Sequence, residues 1–280
     1  MFDTILVPID GSDPATRAAR FGLELATAYD ASVELLHVVP AGDDAASERG
    51  EQLLDETAAL VVDGDPEVRT RLAEGKPAKT IVSRAEEAGS DLVVMGRHSR
   101  RGISQHLLGS TTERVLRNVG VPVLTIPGSD TGPVPTVENV LLTTDRSPAA
   151  ARAGPYGIDL ARRLAATLHL LSVVDVQAEA GPFNAGGVDR EYVERLEAEG
   201  REALDRLTEG VDTSELDVRE ALVRGWAIEE IRSYVDEHDV DVLVIASEGQ
   251  TNLVGQRLGS TASRVLDTVQ RPVLVVPVRD

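Results

Sequence analysis

The chain has 280 residues, 47 of them acidic and 28 basic, giving a formal net charge of -19, and it contains no cysteine. The acidic balance argues against a nucleic-acid partner, and the missing cysteines exclude disulfides, thiol nucleophiles and thiolate metal sites together. No run of about 18 apolar residues is there to span a membrane, and the N-terminus opens on a strand pattern instead of a signal peptide, so the chain is predicted to be cytoplasmic, with an acidic surface of the kind a high-salt, halophilic cytoplasm favours.

Phe2 to Ile9 is an almost unbroken apolar run, as expected of a strand buried on both faces of a parallel sheet. Asp10 ends it, and Ser12, Asp13 and Pro14 start a helix whose Phe21, Leu25 and Ala28 share one stripe. Val33 to Val39 is the next strand, closed by Pro40 and Gly42; Ala45 to Val62 reads as a helix, and Glu67 to Ala73 as a more polar edge strand. A helix over Pro77 to Ala88 stops at Gly89. Asp91 to Met95 is a strand, Ser110 to Asn118 a helix and Val121 to Ile126 the last strand. Five strands alternating with four helices predict a doubly wound parallel sheet of order 3-2-1-4-5.

The pattern then repeats. Residues 128–137 are rich in glycine and proline and read as a linker between a first domain over 1–127 and a second over 138–280. The second copy overlays the first at an offset of 135, which becomes 150 after the second strand. The extra 15 residues fall between Val176 and Leu216, where Gly181, Pro182, Gly186 and Gly187 mark a loop and about Asp189 to Leu207 a longer helix.

Val93 to Leu116 (VVMGRHSRRGISQHLLGSTTERVL) returns as VIASEGQTNLVGQRLGSTASRVL. Each copy passes from an apolar strand through a glycine-bearing loop to Gly-Ser-Thr and a helix, an order that aims backbone N–H groups and a helix N-terminus at an anion. Ser110 followed by Glu113 also satisfies the capping-box pattern, which needs no ligand. The loop is longer than the usual 2–6 residues in both copies. Asp10 and Asp145 stand at the ends of matching strands, at the switch point of such a sheet, where a carboxylate can accept from a ribose hydroxyl or base amine or can simply start the next helix. His37 and His169 read as strand histidines with structural partners, and His238 as a helix-end residue. His98 and His106 flank the loop without metal-ligand spacing, and no hydrolytic triad or complete Walker sequence is present. Trp226, at the place of Lys76, reads as a packing or interface residue in preference to a base-stacking platform.

On these residues the chain resembles the universal stress protein family in its tandem form, over nearly its whole length. The family's nucleotide-binding members carry Gly-x-x-Gly, nine residues, then Gly-Ser/Thr. By that resemblance Asp10 and the Val39 backbone face base and ribose, while Gly96, His98, Gly109, Ser110 and Thr111 hold phosphates. Asp145, Val174, Gly249, Gly259, Ser260 and Thr261 match them in the second copy. Ser99 stands at the pattern's second glycine in one copy and Ala246 at its first in the other. The resemblance implies an intramolecular pseudo-dimer joined through the last strands, acting alone or as a further homodimer. It also implies an ATP-, ADP- or AMP-type ligand, with Mg2+ as its accompanying ion, and no fast catalysis. A slow nucleotide hydrolase or nucleotidyl transferase using Asp10 or His98 as base, and a scaffold without nucleotide, stay open as alternatives. Arg97, His98, Arg100 and Arg101 around the first loop make it the expected better phosphate site. Glu248, at the position of His98, turns the second half toward a neutral or less charged ligand, or none.

Overall fold

The computed structural model describes residues 1–61, 66–97, 108–128, 136–176, 190–248 and 258–278. The first copy runs β1 (Thr4–Pro8), α1 (Asp13–Tyr29), β2 (Ser32–Val39), α2 (Asp44–Ala58), β3 (Val68–Glu74), α3 (Pro77–Glu87), β4 (Leu92–Gly96), α4 (Ser110–Asn118) and β5 (Val123–Ile126). The second runs β6 (Asn139–Thr144), α5 (Pro148–Ala151), α6 (Gly154–Arg163), β7 (Thr167–Val174), α7 (Arg190–Thr208), β8 (Val218–Arg224), α8 (Ala227–Glu237), β9 (Val242–Ala246), α9 (Ser260–Thr268) and β10 (Val273–Val276). Most of the expected linker, and the glycines expected to loop between Val176 and α7, lie outside the described residues.

The chain divides into two compact units, Met1–Thr136 with Gln270–Asp280, and Val137–Val269. In the first, strands follow the order β3-β2-β1-β4-β5-β10. All neighbours from β3 to β5 are parallel, as the alternation with helices predicts. Ile5, Leu6 and Val7 of β1 and Leu92, Val93 and Val94 of β4 are fully buried, which is why these strands read as apolar runs without alternation. β3 is the polar edge, its Arg69, Thr70 and Arg71 exposed. β10, the final strand of the second copy, pairs antiparallel with β5, Val273 opposite Thr125, as expected of the two last strands. In the second unit the order is β8-β7-β6-β9, again parallel.

One expectation fails in the second copy. The overlay on α1 predicts a single helix after β6, yet α5 ends at Ala151 and α6 begins at Gly154. Pro155 stands where the first copy has Arg20; it has no N–H to give the carbonyl four residues back, and its ring clashes with that carbonyl. α1, with no such residue, runs unbroken for 17 residues.

Both copies fasten the start of their first strand with an aspartate that precedes the fourth. Asp91 Oδ2 accepts from the N–H groups of Asp3 and Thr4, and Asp241 Oδ2 from those of Glu138 and Asn139. The layer between sheet and third helix differs. In the first copy Glu34 of β2 accepts two 2.6 Å bonds from Arg84 of α3. At the matching place in the second, His169 is fully buried; its Nδ1 lies 3.0 Å from the Tyr234 hydroxyl and its Nε2 3.2 Å from Asn139 Oδ1. The His238 ring stacks on Tyr234 at 4.0 Å. His37 likewise has its expected structural partner, its Nδ1 donating to the Ile9 carbonyl at 2.8 Å.

His169 makes stability depend on pH. Burial, with Arg219 and His238 adding and Asp217 opposing, holds its pKa below the ordinary 6.5. The unfolded chain therefore takes up a proton near 6.5 that the folded chain refuses until lower pH, so stability is full above 6.5 and falls as pH drops below it, by at most about 1.4 kcal/mol per pH unit. Urea midpoints at pH 7.5 and 5.5 should differ in that sense, and less so in His169→Gln.

Candidate functional site

In an open α/β sheet ligands bind beyond the carboxyl ends of the strands where the order reverses, here between β1 and β4 and between β6 and β9. The chain places its recurrent polar residues at those two points.

In the first copy Asp10 is exposed at the end of β1. Its Oδ1 accepts from the Ser12 N–H and hydroxyl, and Ser12 Oγ caps α1 by accepting from the Ala15 N–H. Asp145 repeats this through Ser147, whose Oγ accepts from the Ala150 N–H. Each aspartate thus spends one oxygen on starting the following helix.

Gly96 closes β4 against that helix start: a Cβ there would lie 2.8 Å from the Pro14 carbonyl carbon and 2.9 Å from the Ala15 nitrogen. The second copy carries Ala246 instead, beside the short helix α5. The loop after each strand is closed at its stem by one backbone bond, Gly109 N–H to the Arg97 carbonyl at 3.0 Å and Gly259 N–H to the Ser247 carbonyl at 2.7 Å. Thr112 Oγ1 adds a bond to the Gly96 carbonyl at 2.9 Å.

The helix after each loop begins otherwise than the capping-box pattern predicts. Gly109 and Gly259 are the N-cap residues and, being glycine, bring no capping side chain to α4 or α9. Ser110 is the first helical residue and exposed, while Glu113 bonds to Arg117 at 3.0 Å. Ser260 is exposed in the same way, with Thr111 and Thr261 beside them half-buried. A helix start without a side-chain cap leaves N–H groups open to an anion.

Three expected site residues have partners within the fold. Arg97 is fully buried, its Nη2 donating to the Arg271 carbonyl at 2.6 Å and its Nε to Thr125 Oγ1 at 3.3 Å, so its guanidinium faces β5 and β10 and is no phosphate donor. Val39 is buried with its carbonyl accepting from Gly75 N–H at 2.9 Å, and Val174 does the same with Gly225 at 3.2 Å. Gly75 and Gly225 have φ of +143° and +152°, which only glycine adopts without strain. His98 and Gly249 lie outside the described residues, as do Ser99, Arg100, Arg101 and His106.

In the second unit these pieces enclose a cleft of about 630 Å³, its mouth included. Asp145, Gly259, Ser260 and Thr261 line it. Glu248, singled out by its charge, lines it too, with Ser247 beside it, and so do Thr143, Thr144, Val173, Ile231 and Ile245, which were not foreseen. Thr143 and Thr144 had a signal, since they are the last two residues of the strand that Asp145 follows. Val173 lines the cleft where Val174, one step on, turns to the other side. Ala227 and Ile231, four apart on α8, also reach it. Trp226, the N-cap of α8, is 59% exposed and packs into no core. Among the described residues no helix is long and apolar enough to cross a membrane.

Comparison with known proteins gives one result for both copies. The model of the universal stress protein family matches residues 1–127 and 136–277. A universal stress protein of Mycolicibacterium smegmatis is 28% identical over 297 residues, covering 97% of this chain and 96% of that one. One from Methanocaldococcus jannaschii is 31% identical over 140 residues, 45% of this chain and 82% of its own. The crystal structure of a universal stress protein from Archaeoglobus fulgidus shares the fold with a TM-score of 0.70 at 21% identity, covering 98% of this chain and 96% of that one. With two aspartate-ended strands, two stem-closed loops and a family match that recurs over both copies, the chain belongs to the universal stress protein family.

Proposed function

We propose that this chain is a cytoplasmic nucleotide-binding module of the ATP/AMP type, taking Mg2+ with its ligand, responding to stress without fast catalysis, and that the first copy is the better phosphate site. The observation that carries the reading is the start of α4 and α9: a backbone bond at the switch point closes the stem before a helix whose N-cap is a glycine without a capping side chain. Asp10 and Asp145 stand across from it, each with one oxygen given to its own turn. A carboxylate held in that way suits a ribose hydroxyl better than it suits proton abstraction, which favours binding over hydrolysis. With Arg97 turned inward, the cations that favour the first copy are His98, Arg100 and Arg101, set against Ser99 at the pattern's second glycine.

Calorimetric titration with ATP and magnesium should show saturable binding, and phosphate or AMP release over hours should stay at background. Gly109→Leu should remove most ATP binding and Gly259→Leu little of it. Loss in the second variant with none in the first would reverse the ranking of the halves, and no binding by the unmodified chain would leave the scaffold reading.

A further inference from the structure

The cleft of the second copy differs in charge from a phosphate site. Among its described lining residues none is lysine, arginine or histidine, and two, Asp145 and Glu248, are carboxylates. The loop sequence 249–257 adds one arginine, Arg257, where 98–107 carries His98, Arg100, Arg101 and His106. A phosphate lodged at the start of α9 gains the helix terminus, equivalent to about half a positive charge. It also meets the carboxylates of Asp145 and Glu248, which line the same cleft. The rest of the wall suits a ligand that has an apolar face and hydroxyls: Val173, Ile231 and Ile245 form one side, while Thr143, Ser260 and Thr261 present hydroxyl groups.

Resting on the reading of these clefts as nucleotide-type sites, we infer that the second copy binds an unphosphorylated nucleoside and that Glu248 is the residue that turns phosphate away. The base lies on the apolar side, and the ribose hydroxyls donate to Asp145. The chain then holds a phosphate-bearing ligand in one half and its dephosphorylated counterpart in the other.

A reporter is built in. Trp226 is the only tryptophan of the chain and is largely exposed, and its neighbour Ala227 lines the cleft. The test uses the full chain carrying Gly109→Leu, titrated with adenosine, magnesium ATP and putrescine, and followed by Trp226 emission and calorimetry. Adenosine should shift the emission saturably and bind at least about tenfold more tightly than ATP. Glu248→Gln should raise the ratio of ATP to adenosine affinity about tenfold or more, the effect of removing one like charge in a partly screened site, and Glu248→Ala should do the same. ATP binding as tightly as adenosine before substitution overturns the proposal, and so does a ratio unmoved in both Glu248 variants. Putrescine binding more tightly than adenosine overturns it in favour of a cation site, and no response to adenosine by either method overturns it outright. ATP uptake by the unmodified chain, and its loss in Gly109→Leu, judges nucleotide binding separately from all of these outcomes.

Discussion

Replacing Glu34 with alanine should lower stability by about 3 kcal/mol, read as a fall in the urea midpoint at constant slope. Glu34 is 8% exposed, and the Arg84 guanidinium reaches it through both Nε and Nη2. Arg71 adds a third contact, 3.2 Å from Oε1. The partnership raises the pKa of Arg84, with the hydrogen bond to Glu34 as its main cause, so Arg84 stays charged at every working pH. Without Glu34 two guanidinium groups would face one another at the edge of the core with no carboxylate between them. The second copy supplies the control, because His169 and Tyr234 fill the same layer with a neutral hydrogen bond. The double variant Glu34→His with Arg84→Tyr should therefore recover part of the loss, and a double variant no better than the sum of its singles would show that the layer does not act as a unit.

Arg97→Ala should cost about as much, by a different route. Its guanidinium bonds to the Arg271 carbonyl just before β10, and Thr125 Oγ1 carries the link on to the Val273 carbonyl at 3.2 Å. Truncation leaves a cavity and an unpaired buried carbonyl, about 1–3 kcal/mol for the lost charged hydrogen bond and about 1–2 more for the void. Hydrogen exchange at residues 273–276 should accelerate more than exchange in β1 or β4. Arg97→Met keeps the stem packed and should recover the void but not the bond. Uniform acceleration across all strands would mean that Arg97 supports the whole unit and not β10 in particular.

The alternation of elements was legible because buried parallel strands are apolar without interruption and the helices between them carry stripes, so β1, β4 and α4 stand where periodicity put them. What failed depends on geometry that no single residue encodes. Ser110 followed by Glu113 has the composition of a capping box, yet the backbone makes Gly109 the cap, one position earlier. Pro155 was visible in the sequence, but the overlay on α1 hid its consequence. The direction of Arg97 could not be read because it follows the last residue of β4, where strand parity ends, and its partner Arg271 is 174 positions away. The aspartates and the Gly-Ser-Thr triplets were singled out because they recur. Ile231 was not, because an apolar residue on a helix reads as core whether it meets a side chain or an empty cleft.

The pairing of Val123 with Val275 joins residues 152 positions apart, and β10 belongs to the unit that begins at Met1. A ribosome that has released residues 1–136 has delivered every strand of that unit but one, and β5 waits with an open apolar edge until β10 is made. Such an edge invites pairing with another nascent chain. Most of the second copy must be translated before the first is closed, so a chain stopped between residues 136 and 273 should yield an N-terminal fragment that aggregates, where a self-contained domain would fold and stay in solution.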